Sequence, residues 1–257
     1  MADRRKADAF LKLDFREILT MTEVYSLITL GIFSVFSLVF FLQIDEAYRY
    51  LFLNAIAAIA IISISTIYIK LNPGPFFSAL KMFYIVPVIY LCYMQVQSYI
   101  AIINPQLYDL VLIEWDRVIF GTDPTVWLSR IADPWLTEFL QTCYFLFYFL
   151  PIFHGVELYF RREYKKLDRL IRTIALGFFV SYLLYFFMPA IGPRFFLHDF
   201  NSLNTELPGV LFTNLMRDFV NLGGGIEPGS ADPMAVVNRE CMPSGHTMMT
   251  FINLYLV

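Results

Sequence analysis

The sequence predicts an all-α integral membrane protein, a bundle of about six transmembrane helices, and three observations carry that reading. Apolar residues come in long uncharged blocks, not as a helical stripe or a strand alternation. The chain is 58% hydrophobic and 18% aromatic with only 16% charged residues, whereas soluble domains are about a quarter charged. The lysines and arginines alternate in density from one loop to the next.

The elements follow in order. Residues 1–20 begin with Arg4, Arg5 and Lys6 and then place Phe10, Leu11, Phe15, Ile18 and Leu19 at helical spacing. That pattern predicts an amphipathic segment along the membrane interface; a cytosolic tail is the alternative. No short apolar core with a small-residue cleavage site follows, so a cleaved signal peptide is not read. Residues 21–257 form one polytopic membrane domain. Apolar blocks of spanning length lie near residues 25–42, 51–69, 82–103, 139–160 and 171–191, and a sixth begins after Pro243 and is still apolar at Val257. A span needs roughly 20 such residues to cross the hydrocarbon core.

Most of the 19 lysines and arginines lie before the first block, between the second and third (Lys70, Lys81), and between the fourth and fifth (residues 161–172). The positive-inside rule then predicts a cytosolic N-terminus and turns the two long loops, about 104–138 and 192–242, outward. Outward is periplasm, lumen or cell exterior, for a bacterial inner membrane or a eukaryotic endomembrane. A net charge of −3 without a basic tract argues against a nucleic-acid partner. Cys92, Cys143 and Cys241 make neither a disulfide framework nor a zinc spacing.

In the first outward loop, Thr122 or Asp123 before Pro124, and Asp133 before Pro134, read as helix N-caps with proline at the first helical position. The acidic residues Asp109, Glu114, Asp116 and Asp123 read as a solvated helix face; no metal and no cofactor is predicted. The second outward loop is longer than structureless loops usually run. Its Gly223–Gly224–Gly225 and Glu227–Pro228–Gly229 mark either a lid or a flexible connector. No strand precedes these glycines, so a nucleotide-binding reading fails.

That loop ends Pro243–Ser244–Gly245–His246 and runs straight into an apolar helix. Ser244 is placed as an N-cap, leaving the N–H groups of Gly245, His246 and Thr247 free for an anion at the positive end of the helix. A histidine in the first turn can hold or pass a proton beside that anion. At the other end of the loop, Pro189, Gly192 and Pro193 stop the fifth span and leave Arg194 at the membrane edge, where a guanidinium can grip phosphate oxygens. The returning chain lets Arg194 and His246 meet.

These residues resemble the type 2 phosphatidic acid phosphatase superfamily of membrane lipid phosphatases and phosphotransferases, whose second motif is Pro-Ser-Gly-His. The Gly192–Pro193–Arg194–Phe195–Phe196 form, together with Asp116 and Gly121–Thr122–Asp123–Pro124, looks most like the branch of inositol phosphorylceramide synthases and their bacterial relatives. The resemblance covers roughly residues 105–257 and implies a metal-independent transfer through a phosphohistidine. A histidine of the third motif attacks phosphorus, His246 protonates the leaving lipid alcohol, and Arg194, Ser244 and Gly245 hold the phosphoryl oxygens. Two departures stand out. The first motif usually has a lysine where this chain has Phe187, which leans the reading from hydrolysis toward head-group transfer to another lipid alcohol, a sphingolipid among the candidates. The third motif lies beyond the second and is not in the sequence as given, so the expectation is a longer protein, the alternative an inactive fragment.

Other polar residues are ranked lower. Arg239 and His198 are possible head-group contacts, Arg217 less so, and His154 a packing residue. Tyr144, Tyr148, Tyr182 and Tyr185 are expected at the interface or in packing. The expected partners are a lipid substrate and the bilayer itself. A non-catalytic lipid-binding or structural membrane protein is the competing reading, and a transporter, which would want broken helices and paired polar groups at the midplane, ranks last.

Overall fold

A computed structural model describes residues 19–71 and 74–256. The amphipathic segment expected over residues 1–20 lies, but for its last two residues, outside the described residues. Among the described residues the chain is helical, and its isolated pairing of extended backbone is a parallel bridge between Ala190 and Glu240. The helices are α1 (Met21–Val39), α2 (Ala47–Leu71), α3 (Pro75–Phe83), α4 (Ile85–Ile103), α5 (Asp109–Phe120), α6 (Pro124–Ser129), α7 (Pro134–Leu146), α8 (Leu150–Phe160), α9 (Tyr164–Leu184), α10 (Leu203–Glu206), α11 (Thr213–Gly223), α12 (Pro233–Val236) and α13 (Gly245–Leu256). Met21–Val39, Ala47–Lys70 and Phe76–Ile103 are long and apolar enough to cross a membrane, and α7 with α8 passes the same test only when the bent pair is taken together.

Two predicted blocks are broken, and proline is the reason in both. A proline has no N–H to bond the carbonyl four residues back, and its ring crowds that carbonyl. Pro87 acts on Phe83, where α3 ends and α4 starts after Tyr84. Pro151 acts on Phe147, where α7 stops; α8 leaves it at 53°. The fourth block is therefore not one straight helix over 139–160. The fifth also shifts: α9 takes in the basic residues from Lys165 onward and ends at Leu184, before Pro189.

The chain divides into two compact units. The first holds residues up to Tyr99 together with Glu163–Tyr182. Its core includes Leu30, Phe33, Ile61, Cys92, Val96 and Tyr99, all nearly or wholly buried, and Phe33 and Tyr50 meet the Tyr99 ring edge-on. Polar side chains in this core are paired with one another. Asn54 and Gln95 exchange two hydrogen bonds at 2.9 and 2.7 Å, and Ser37 bonds the Tyr99 hydroxyl at 2.6 Å. The Glu23 carboxylate is buried and takes Lys81, the Tyr84 hydroxyl at 3.1 Å and the Thr20 N–H at 2.6 Å, while Lys81 also donates to Ser65 at 2.7 Å. In hydrocarbon each such group needs a protein partner, so these pairs tie helix to helix. The second unit holds Ile100–Arg162 and Leu183–Val257, and the candidate site lies within it.

Candidate active site

The second unit is built around the junction where Asn104–Asp109, residues 186–192 and residues 239–241 run side by side. Asn104 donates its amide to the Phe186 carbonyl at 3.1 Å, and the Tyr108 N–H reaches Pro189 O at 2.9 Å. Across the parallel bridge, Ala190 N–H donates to Arg239 O at 3.3 Å and Cys241 N–H to Ala190 O at 2.9 Å. Asp109 completes the junction. Its carboxylate is 2% exposed and accepts the Ile191 N–H at 3.0 Å and the Gly192 N–H at 2.7 Å. The solvated acidic face expected in this loop is thus corrected at Asp109: the turn that ends the fifth block buries two N–H donors, and a buried donor needs an acceptor. Asp123 stands at the N-cap of α6 ahead of Pro124, as the sequence reads, but its carboxylate takes Arg117 Nε and Nη2 at 2.7 and 3.1 Å and makes no side-chain cap bond. Asp133 does cap α7, accepting from Trp135 and Leu136.

Gly192 follows at φ +103, and a side chain there would meet the Cys241 sulfur at 3.3 Å, so both backbone and space call for glycine. The turn delivers Arg194, half-buried. Its Nη1 donates to Asn221 Oδ1 at 2.9 Å, and the guanidinium lies 4.9 and 5.1 Å from the Phe195 and Phe200 ring centres. Burial lowers its proton affinity, with Tyr144 and Cys241 acting in the opposite sense; guanidinium stays charged regardless. Tyr144 and Cys241 are therefore within electrostatic reach of Arg194.

Tyr144 is also the ring on which His246 stacks, 4.5 Å between centroids at 16°. Phe147 lies 4.3 Å from the imidazole and Tyr148 meets it edge-on at 5.6 Å, so α7 and the bend after it supply an aromatic cage. His246 Nε2 is buried and has no hydrogen-bond partner among the described residues. Ser244 caps α13, as the sequence predicts: Oγ accepts the Thr247 N–H at 3.2 Å and the Thr247 hydroxyl at 3.1 Å. That bond corrects one expectation, because the Thr247 N–H is not free. The Gly245 and His246 N–H groups have no acceptor among the described residues. A Cβ on Gly245 would sit 3.5 Å from the Tyr185 hydroxyl, an ordinary contact; packing alone does not demand glycine there.

The lower-ranked residues are held elsewhere. Arg239 donates to Pro105 O at 3.1 Å, and His198 Nε2 lies 3.0 Å from Thr125 Oγ1. Arg217 is buried, bonding Asn204 at 2.9 Å and Leu207 O at 2.7 Å. His154 Nδ1 lies 3.2 Å from Asn253 Oδ1, the packing role expected of it. Of the four tyrosines, Tyr182 packs in the first unit, with its hydroxyl on Ile89 O at 3.1 Å. Tyr144 and Tyr148 pack on the His246 ring, and the buried Tyr185 has its hydroxyl beside Gly245, so their packing is at the candidate site. That grouping follows spacing: Tyr144 and Tyr148 stand four apart, about one helical turn, in one block, and Tyr185 near the end of the next. Asp109 carried no such signal.

No curated protein and no solved structure matches the chain. A model of the PAP2 superfamily matches residues 111–257, a stretch that contains Arg194, the aromatic cage and the Pro243–Ser244–Gly245–His246 helix start. On that match over more than half its length, the chain belongs to the PAP2 superfamily.

Proposed function

We propose that the chain is a membrane-embedded enzyme acting on a lipid phosphate or phospho-head group at the outward face of the membrane, with transfer to a second lipid alcohol favoured over hydrolysis. One observation carries the reading. At the start of α13 the Gly245 and His246 N–H groups and His246 Nε2 lack acceptors among the described residues, and the ring stacked on that imidazole is within reach of the Arg194 charge. Buried polar groups left open in a folded protein point to a ligand. Free donors at a helix start suit phosphoryl oxygens, and a guanidinium in the same neighbourhood adds charge to hold them.

In the proposed reaction, Arg194 and the two N–H groups hold the phosphoryl oxygens. The histidine of the family's third motif attacks phosphorus, forming the P–N bond as the bond to the leaving alcohol breaks, and His246 gives that alkoxide its proton. An acceptor alcohol then attacks the phosphohistidine and returns a proton to His246. Ser244 holds the helix start in place, and no metal enters the scheme. The topology that goes with it has six spans, with the N-terminus and residues 161–172 in the cytosol and residues 192–242 outside. An impermeant thiol reagent on intact cells should label Ser202→Cys and spare Lys165→Cys; the reverse pattern overturns the orientation.

Leaving-group dependence tests the chemistry. His246→Ala should slow cleavage of lipid phosphates by roughly 100- to 10,000-fold, and slow nitrophenyl phosphate, whose leaving group needs little proton help, much less. Equal losses on both substrates would remove the general-acid role. Undetectable turnover by the wild-type protein with retained lipid-phosphate binding would favour the non-catalytic reading.

A further inference from the structure

Helix α11 lies in the middle of the 192–242 loop. Thr213, Met216 and Arg217 turn into the protein and are buried. On the open side Leu215, Phe219 and Leu222 follow the i, i+4, i+7 spacing of a single stripe, and Leu211 and Phe212 extend it backward. These residues are 69, 50, 58, 74 and 60% exposed, respectively. Beside them Asn214 and Asp218 form a separate exposed polar stripe. A helix that buries one side and divides the other between apolar and polar residues fits a boundary between oil and water.

The neighbouring surface names the oil. α11 packs on α7, with Phe219 meeting Phe145 at 5.3 Å and Tyr148 at 5.7 Å. α7 is the first half of the bent candidate span and exposes Trp135, Phe139 and Leu140; tryptophan is a residue of membrane interfaces. The start of α11 is tied to the second turn of α7, because the Glu138 carboxylate accepts the N–H groups of Val210, Leu211 and Phe212 at 2.9, 3.0 and 2.7 Å and the Thr213 hydroxyl at 2.6 Å. The stripe thus continues a surface that faces lipid. We infer that α11 is an interfacial helix, seated in the bilayer surface with Leu211, Phe212, Leu215, Phe219 and Leu222 among the acyl chains. The attraction is apolar: Arg217, the basic residue of α11, is buried, so seating depends on neither anionic lipid nor salt.

An environment-sensitive fluorophore on Leu215→Cys, Leu222→Cys or Asp218→Cys, each in a background with Cys143→Ser and Cys241→Ser, tests this in phosphatidylcholine nanodiscs with and without doxyl-labelled lipid. The two leucine sites should be quenched several-fold more than the aspartate site, unchanged by added salt or anionic lipid. Equal quenching at all sites would overturn the proposal. So would leucine sites shielded from both doxyl lipid and aqueous iodide, which would mean a protein partner or a second copy. Benzoylphenylalanine in place of Leu215 in the otherwise native chain gives an independent reading: lipid adducts support the seating, and protein adducts alone overturn it.

Discussion

The two units of the chain differ in how they tie distant elements together through buried polar groups. In the first, side chains of different helices answer one another: Asn54 with Gln95, Ser37 with Tyr99, and Glu23 with Lys81 and Tyr84. In the second, side chains such as Asp109, Glu138 and Arg217 answer backbone groups of loops, and His246 Nε2 meets no partner among the described residues. The first arrangement is closed and serves cohesion. The second fixes irregular backbone so that a few donors and one imidazole remain open.

This contrast can be broken, and the largest expected effect is at Arg194. Arg194→Ala should cost on the order of 3 kcal/mol in the barrier, at least a hundredfold in turnover of lipid phosphate, with thermal stability little changed; near-normal turnover would mean the phosphate is held elsewhere. Next comes Glu23→Ala, which strips the buried partner from Lys81. Stability should fall by about 3 kcal/mol, measured by thermal unfolding in detergent, while the protein that remains folded turns over substrate as before. A selective loss of turnover would show that the first unit is not merely cohesive.

Asp109 tests the second unit's use of backbone. Asp109→Ala leaves the Ile191 and Gly192 N–H groups buried without acceptors, at about 2 kcal/mol, and loosens the turn that presents Arg194. Asp109→Asn keeps one oxygen for both donors and should lose only about 1 kcal/mol. Turnover should track the same order, and equal effects of the two variants would sink the positioning role. The smallest effect is expected for Asn54→Leu with Gln95→Leu. Hydrogen bonds between membrane helices contribute about 0.6 kcal/mol on average, so removing both partners together should shift unfolding by little more than that.

The sequence made the apolar blocks legible because the thickness of the hydrocarbon core imposes their length whatever the details of packing. It made the end of α9 before Pro189 and the capped start of α13 at Ser244 legible because proline, glycine and the cap carry local instructions that do not depend on distant residues. The interruption at Tyr84 and the bend at Phe147 were harder, since Pro87 and Pro151 break the helix four residues upstream of themselves and not where they stand. Asp109 and Glu138 were not legible as anchors. Their partners are main-chain N–H groups 82 to 83 and 72 to 75 positions away in sequence, respectively, and a main-chain donor leaves no mark in a sequence. What the Tyr144, Tyr148 and Tyr185 rings pack on was not legible for a related reason: it depends on which helix faces each ring.

The bridge between Ala190 and Glu240 has a consequence for how such a protein can diversify. It ties the two ends of the intervening segment together at the point where Arg194 leaves and the α13 start returns. The entropy of closing a loop grows only with the logarithm of its length, about 0.6 kcal/mol for each doubling. Residues could therefore be added or removed between the ends at little thermodynamic cost while the frame at the base stays in register. The segment behaves as a cassette on a fixed collar, open to variation away from Asn221, which seats Arg194, one of the groups proposed to handle phosphorus.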